Sequence, residues 1–213
     1  GRYTSWNDIW SYPGYKERDI LPGDYKYEDW NGDGEINGQD EHPFAFDQTP
    51  WLQFSLNAGL QWKNLDFNML LQGSALGSME YKEPLHEIWG KNGGGALTQF
   101  LDRWHPVDPK ADPYDPSTVW TSGHYAYTGR WAKNNSAFNR VSTAYLRLKS
   151  IELGYTFPKL KQIPNASLRI YANAYNLLTF TGVKFVDPEH PDDDLGRMYP
   201  LNKTYTLGVS LSF

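Results

Sequence analysis

The fold is decided by "WLQFSLNAGLQWKNLDFNMLLQGSA", residues 51–75. Leu52, Phe54, Leu56, Ala58, Leu60 and Trp62 occupy every second position, with Gln53, Ser55, Asn57, Gly59 and Gln61 between them. Successive side chains of a strand point to opposite faces, so this alternation predicts a strand with one apolar and one polar face. Such a run is long beside the roughly five or six residues usual in soluble sheets. Lys63-Asn64 follows as a tight turn. Leu65, Phe67, Met69, Leu71 and Gly73 then alternate with Asp66, Asn68, Gln72 and Ser74, and Leu70 is the one discord. Two long alternating runs joined so tightly predict an antiparallel hairpin.

The pattern returns in "SIELGYTF" (150–157), "SLRIYANAYN" (167–176) and "TYTLGVSLSF" (204–213). Each run approaches the roughly ten residues that cross a bilayer when tilted. In "AYLRLKSIELGYTF" (144–157) the apolar phase switches between Leu148 and Ile151. The switch requires a bulge, or else residues 145–149 project beyond the membrane.

The connections alternate in length. Lys63-Asn64 and "PKLKQIPNA" (158–166) are short, whereas 76–143 and 178–201 are long. Outer-membrane barrels have short periplasmic turns and long extracellular loops. The expectation is an all-β chain: the C-terminal part of a large antiparallel transmembrane β-barrel, with about five membrane strands. Residues 1–50 are then an extracellular segment, 51–75 a transmembrane hairpin, 76–143 a long extracellular loop and 144–213 three terminal strands. The last strand ends on the periplasmic side at Phe213. About five strands cannot close a barrel, and open edges in hydrocarbon cost several kcal/mol per unsatisfied backbone group. The remaining strands of the same barrel are therefore expected partners, as is outer-membrane lipid. A soluble β-sandwich also alternates, but the 76–143 connection is unusual inside a compact soluble domain.

Composition agrees with this reading. Aromatic residues are 16% of the 213, while hydrophobic residues in total reach only 39%. That combination suits aromatic girdles around a wet interior, or else a soluble carbohydrate-binding surface. A net charge of −5 argues against a nucleic-acid partner. The absence of cysteine excludes a disulfide framework and a thiolate metal site.

"EDWNGDGEINGQDE" (28–41) has calcium-loop spacing. Asp29, Asn31 and Asp33 would offer side-chain oxygens, Glu35 its backbone carbonyl, Asn37 the ninth position and Asp40 the twelfth. Calcium is thus the expected cofactor, in a structural role. The competing reading is a plain Asn-Gly/Asp-Gly turn. "DPEHPDDDLG" (187–196) matches no metal template and reads as a solvated acidic tip. Trp89, Trp104, Trp120 and Trp131 of the long loop are candidates to stack on sugar faces or on a lid protein; the alternative is that they pack the loop onto itself. No catalytic constellation stands out, so no enzymatic activity is expected. Trp62, Tyr155 and Phe157 read as girdle residues.

Several segments carry a resemblance. "PGDYKYEDWNGDGEIN" (22–37), "LNAGLQWKNLDFNMLLQGS" (56–74), "AYLRLKSIELGYTFP" (144–158), "LRIYANAYNLLTFTG" (168–182) and "YPLNKTYTLGVSLSF" (199–213) resemble the C-terminal region of SusC/RagA-type TonB-linked outer-membrane proteins of Bacteroidetes. The resemblance implies a plugged barrel of about 22 strands. It implies a plug domain and a TonB-contacting segment elsewhere in the protein, and a SusD-like lipoprotein lid. It implies import of oligosaccharides, less often peptides, across the outer membrane of a Gram-negative bacterium. Phe213, on the apolar face with Tyr205, Leu207, Val209 and Leu211, resembles the terminal aromatic read by the barrel-assembly machinery. One departure is "GQDEHPFAFD" (38–47) after the acidic loop, where relatives carry a basic run.

Overall fold

The hairpin forms as the alternation predicts. In a computed structural model, strands β1 (Leu52–Trp62) and β2 (Leu65–Ala75) pair in unbroken register from Leu52↔Ala75 to Trp62↔Leu65. Lys63 takes φ 53° to reverse the chain. Strands β3 (Tyr145–Phe157), β4 (Ser167–Thr181) and β5 (Thr204–Ser212) extend the sheet in the order β1-β2-β3-β4-β5, each pair antiparallel. The structure describes residues 1–13, 20–82, 85–86, 97–128, 136–158, 166–190 and 199–213.

The phase switch in β3 is a bulge. Pairing with β2 passes from Leu70↔Ser150 to Leu71↔Leu148 and leaves Lys149 over. On the other side, pairing passes from Ser150↔Tyr175 to Leu148↔Leu178, so Asn176 and Leu177 stand against Lys149. Asn176 adopts φ 53°, a conformation asparagine tolerates better than most residues. The bulge puts Leu146, Leu148, Ile151 and Leu153 on one face, and residues 145–149 stay within the sheet. It also explains why β4 runs on past the expected end at Asn176. After the reset, Leu178 and Phe180 again alternate on the apolar face opposite Leu148 and Leu146.

The register sorts the side chains into rows across all five strands. Leu60, Phe67, Leu153, Ala172 and Leu207 form one apolar row; Trp62, Leu65, Tyr155, Ile170 and Val209 form the next. Gly59, Asn68, Glu152, Asn173 and Thr206 form a row on the opposite, polar face. Among the described residues no second layer covers the apolar face: Leu60 is 65% exposed and Leu207 77%. Burying one such side chain is worth about 1.5–3 kcal/mol, so water is the wrong solvent for this surface. Aromatic residues sit toward both ends, with Trp51, Phe54 and Phe180 at one and Trp62, Tyr155 and Phe157 at the other. A β1-length strand tilted by about 45° spans roughly 25 Å of height, the band expected of a barrel wall.

The chain divides into two compact units, one of residues 1–44 with 80–140 and one of 45–79 with 141–213. The second contains the sheet. The first joins most of the two segments expected as separate loops around a shared core. Tyr3, Leu21, Phe100 and Ala126 are buried in it, and Tyr25 packs on Phe138 with ring centroids 4.6 Å apart. The Arg2 guanidinium lies 4.7 Å above the Tyr25 ring, and burial holds its pKa below the usual value. Asp24 is buried and satisfied, its Oδ2 accepting from Leu21 N–H at 2.9 Å and its Oδ1 from the Thr128 hydroxyl at 3.0 Å. A short helix, Trp6–Ser11, is capped by Ser5, whose hydroxyl accepts from Asp8 N–H at 3.2 Å.

Candidate functional site

The polar face of the sheet carries a charge cluster near each end. Toward the Lys63-Asn64 turn, Arg169 of β4 reaches across β3 to Asp66 of β2. Its Nη2 donates to Asp66 Oδ1, its Nε donates to Asp66 Oδ2 at 3.1 Å, and Nη2 also donates to Glu152 Oε1 at 2.7 Å. Glu152 Oε2 accepts from Asn173 Nδ2 at 3.3 Å. Gly154 pairs with Asp66 on one side and Tyr171 on the other, directly under this bridge. A Cβ there would run into the Arg169 guanidinium and the Asp66 carboxylate, so the absent side chain leaves the bridge its path.

At the opposite end, Arg147 of β3 is wholly buried. Its Nε donates to Thr179 Oγ1 at 3.0 Å, its Nη2 to Asp187 Oδ2 at 2.5 Å and its Nη1 to Glu189 Oε2. The acidic stretch 187–196 is therefore not simply a solvated tip. A buried guanidinium without counter-charges would be prohibitive, and Asp187 and Glu189 supply them. Asp192, Asp193 and Asp194 lie outside the described residues. Gln72 Nε2 makes a long contact, 3.5 Å, to the other Glu189 oxygen. Beside it opens a recess of about 720 Å³.

The acidic loop closes on itself. Asp29 accepts from Gly32 N–H at 2.8 Å and from Gly34 N–H at 2.9 Å. Asn31 accepts from Asp33 N–H at 2.9 Å, and Asp33 from Glu35 N–H at 2.8 Å. Asp40 accepts from Asn37 N–H at 2.7 Å and from Trp30 N–H at 2.9 Å, and Asn37 accepts from Gln39 N–H at 2.8 Å. These bonds, that of Asn37 N–H foremost, hold the Asp40 carboxyl below its usual pKa. Gly32 and Gly34 take φ 74° and 85°, and no long helix flanks the loop. Trp30 stacks on His42 at 3.8 Å. Among the described residues no three His, Cys, Asp or Glu side chains gather as a metal-holding group. The calcium set would draw partly on Asn and peptide oxygens, and each carboxylate oxygen that accepts one N–H keeps a further lone pair.

The tryptophans divide. Trp104 is buried against Gly23, whose φ of 92° and missing side chain admit the indole. Trp120 is half-buried and packs edge-on to Tyr127 at 5.3 Å. Trp89 and Trp131 lie outside the described residues. Tyr205, Leu207, Val209 and Leu211 share the apolar face of β5, and Phe213 follows it almost fully exposed.

A single-layer antiparallel sheet, apolar across one face and polar with ion pairs on the other, is a segment of a transmembrane β-barrel wall. No family model matches the chain. Curated relatives do. It is 28% identical over 211 residues to TonB-dependent receptor P3 of Formosa agariphila, covering 92% of this chain and 19% of that protein. It is 28% identical over 206 residues to TonB-dependent receptor P26 of the same organism, covering 90% of this chain and 20% of that protein. Among solved structures, the RagAB peptide transporter superposes with a TM-score of 0.59 at 22% identity, over 84% of this chain and 19% of that one. The 'closed-closed' RagAB peptide importer gives 0.58 at 22% identity, over 91% of this chain and 21% of that one. The chain is similar in sequence to part of these TonB-dependent receptors and shares the fold of part of the RagAB barrel, and it spans about a fifth of the length of the relatives it matches.

Proposed function

We propose that this chain forms wall strands and outer loops of a TonB-dependent importer that takes up oligosaccharides across the outer membrane of a Gram-negative bacterium. The observation carrying the reading is the uncovered apolar face of the sheet backed by a polar, ion-paired face. Lipid satisfies the first and a wet lumen the second. The short turn at Lys63-Asn64 and Phe213 face the periplasm, and the long connections face outward. A SusD-like lipoprotein covers the mouth, and the plug and TonB-contacting parts of the protein transmit energy. The activity is transport, not a chemical step. Uptake of labelled oligosaccharides by cells carrying the full-length gene, compared with cells lacking it, tests this. Uptake that is unchanged on deletion, with outer-membrane expression verified, overturns it.

Peptide import is the second reading, and the fold likeness to RagAB peptide importers favours it. Competition of labelled oligosaccharide uptake by a mixed peptide pool separates the two. In either case Asp29, Asn31, Asp33, Glu35, Asn37 and Asp40 are proposed to hold a structural calcium ion, supported by their spacing and by the closed turn. Calcium should protect residues 28–41 from proteolysis in the full-length protein. Equal cleavage with calcium and with chelator would leave only the turn.

A further inference from the structure

The apolar face of the sheet is not flat. Ala172 and Ala174 of β4 stand between Leu153 and Ile151 of β3 and Leu207 and Tyr205 of β5, and their short side chains leave a recess of about 520 Å³. A second recess, of about 320 Å³, continues it toward the Lys63-Asn64 turn, lined by Leu65, Tyr155, Phe157 and Ile170; Leu153 borders both. The two form an apolar groove along β3 and β4 that opens at the turn end. A cation stands near that opening. The Lys63 Nζ lies 5.0 Å over the Trp62 ring, and Lys63 makes no ion pair among the described residues. Trp62 pairs with Leu65 and Leu65 with Tyr155, so the lysine starts about 10 Å from the groove, two strand spacings away. Asp66, the one carboxylate of the hairpin, is held by Arg169 on the opposite face.

We propose that this groove and Lys63 together bind an anionic phospholipid of the periplasmic leaflet, its phosphate on the lysine and one acyl chain in the groove. This rests on the reading of the sheet as a barrel wall with the Lys63-Asn64 turn toward the periplasm. Any acyl chain fills a dent in an apolar face, so the dent alone selects nothing. Lys63 adds the selection. An ammonium at the membrane surface attracts an anionic headgroup, and the Trp62 ring beneath it suits the same interfacial depth. A net-negative headgroup keeps its whole charge for the lysine, whereas a choline headgroup brings its own cation. Charge complementarity extends across the turn end. The two short connections, 63–64 and 158–166, contain Lys63, Lys159 and Lys161 and no acidic residue; the last two lysines lie outside the described residues. A protein surface packed into the groove would have to supply its own anion to Lys63, whereas every phospholipid carries one.

The test places the full-length protein in phosphatidylcholine nanodiscs with a trace of lipid carrying a photoreactive diazirine in one acyl chain. The probe is either phosphatidylglycerol or phosphatidylcholine, and labelled peptides are mapped by mass spectrometry. Phosphatidylglycerol should label the groove segments 151–157 and 168–174 about fivefold more than phosphatidylcholine, as one lysine–headgroup contact requires. Residues 52–58, on β1 away from the turn, are the control and should be labelled alike by both. Lys63→Gln should bring the two lipids level in the groove, and Ala172→Phe, which fills it, should lower labelling by both. Equal labelling by the two lipids in wild type, a preference that survives Lys63→Gln, or no effect of Ala172→Phe overturns the phospholipid site while leaving the wall standing. So does a groove that neither lipid labels while the control is labelled, the result if protein covers it. No labelling of groove or control removes lipid from the apolar face and overturns the wall reading with the site.

Discussion

Arg169 on β4 binds Asp66 on β2 by passing over Gly154 on the strand between them. The bridge ties three strands together by side chains in addition to their backbone ladders, and it depends on the one position in its path having no side chain. Gly154→Val should force the guanidinium aside and weaken the full-length barrel by about as much as Asp66→Asn, roughly 1 kcal/mol for a half-exposed pair. Heat or urea midpoints of the folded electrophoretic form measure both. Combined in one protein, the two changes should cost little more than either alone, since they remove the same interaction. Full additivity would mean that Gly154 serves some other purpose.

Arg147 makes a second prediction. Its guanidinium is the partner for Asp187, Glu189 and the Thr179 hydroxyl, so Arg147→Met strands two carboxylates on the wall. The segment 182–190 should then detach and become cleavable by added protease in intact cells, while the strands remain protected. Adding Asp187→Asn/Glu189→Gln to Arg147→Met should give less cleavage than Arg147→Met alone, because neutral amides can stay without the cation. Protease resistance equal to wild type in Arg147→Met would refute the anchoring role.

How much of this was legible in the sequence follows from the range of each interaction. The hairpin at 51–75 and the phase switch between Leu148 and Ile151 were readable because alternation is a local pattern, while the choice of a bulge over a strand end needed the pairing on both sides. The two charge clusters were not. Asp66 and Arg169, or Arg147 and Glu189, are far apart in the chain; Asp66, Arg147 and Arg169 each look like one more polar position on a strand, and Glu189 like part of a solvated acidic tip. The same holds for the first unit, whose core draws Tyr25 and Tyr27 together with Ala126 and Phe138 from segments that read as separate loops. Trp104 shows a further limit. An indole suited to a sugar face is equally suited to a core, and only Gly23 beside it decides for packing.

The acidic loop should respond to acid. Its folded state holds the Asp40 carboxyl below the ordinary pKa, through hydrogen bonds from Asn37 N–H and then Asn31 and Trp30 N–H. A group depressed on folding contributes order that is complete above its unfolded pKa, about 3.9, and is lost as pH falls through the folded value. The loop should therefore be unchanged from pH 7 to about 5 and loosen only below about 4. Trp30 is the reporter, because it sits on His42 at the loop base. Asp40→Asn should remove the low-pH step in Trp30 fluorescence. Persistence of that step in the variant would assign it to another group.

Phe213 follows the apolar row of β5 and is almost fully exposed. If the assembly machinery reads it together with Tyr205, Leu207, Val209 and Leu211, deleting Phe213 should lower the amount of full-length barrel in the outer membrane. Barrels that do assemble should show little change in thermal stability, since the side chain packs on nothing among the described residues. Normal surface levels after deletion would leave Phe213 as only a girdle residue.

The strictest test of the two-faced wall uses adjacent residues. Leu207 and Thr206 share a backbone but point to opposite faces, Leu207 in the row with Leu153 and Ala172, Thr206 in the row with Asn173 and Glu152. A charge placed in hydrocarbon near the bilayer centre costs about 2–4 kcal/mol, whereas the lumen side is wet. Leu207→Arg should therefore lower unfolding stability in lipid by that amount, and Thr206→Arg, on the wet side next to Asn173, should cost less than about 1 kcal/mol. Equal penalties at both positions would be the behaviour of a sheet with water on both sides, and would remove the membrane from the assignment of the apolar face.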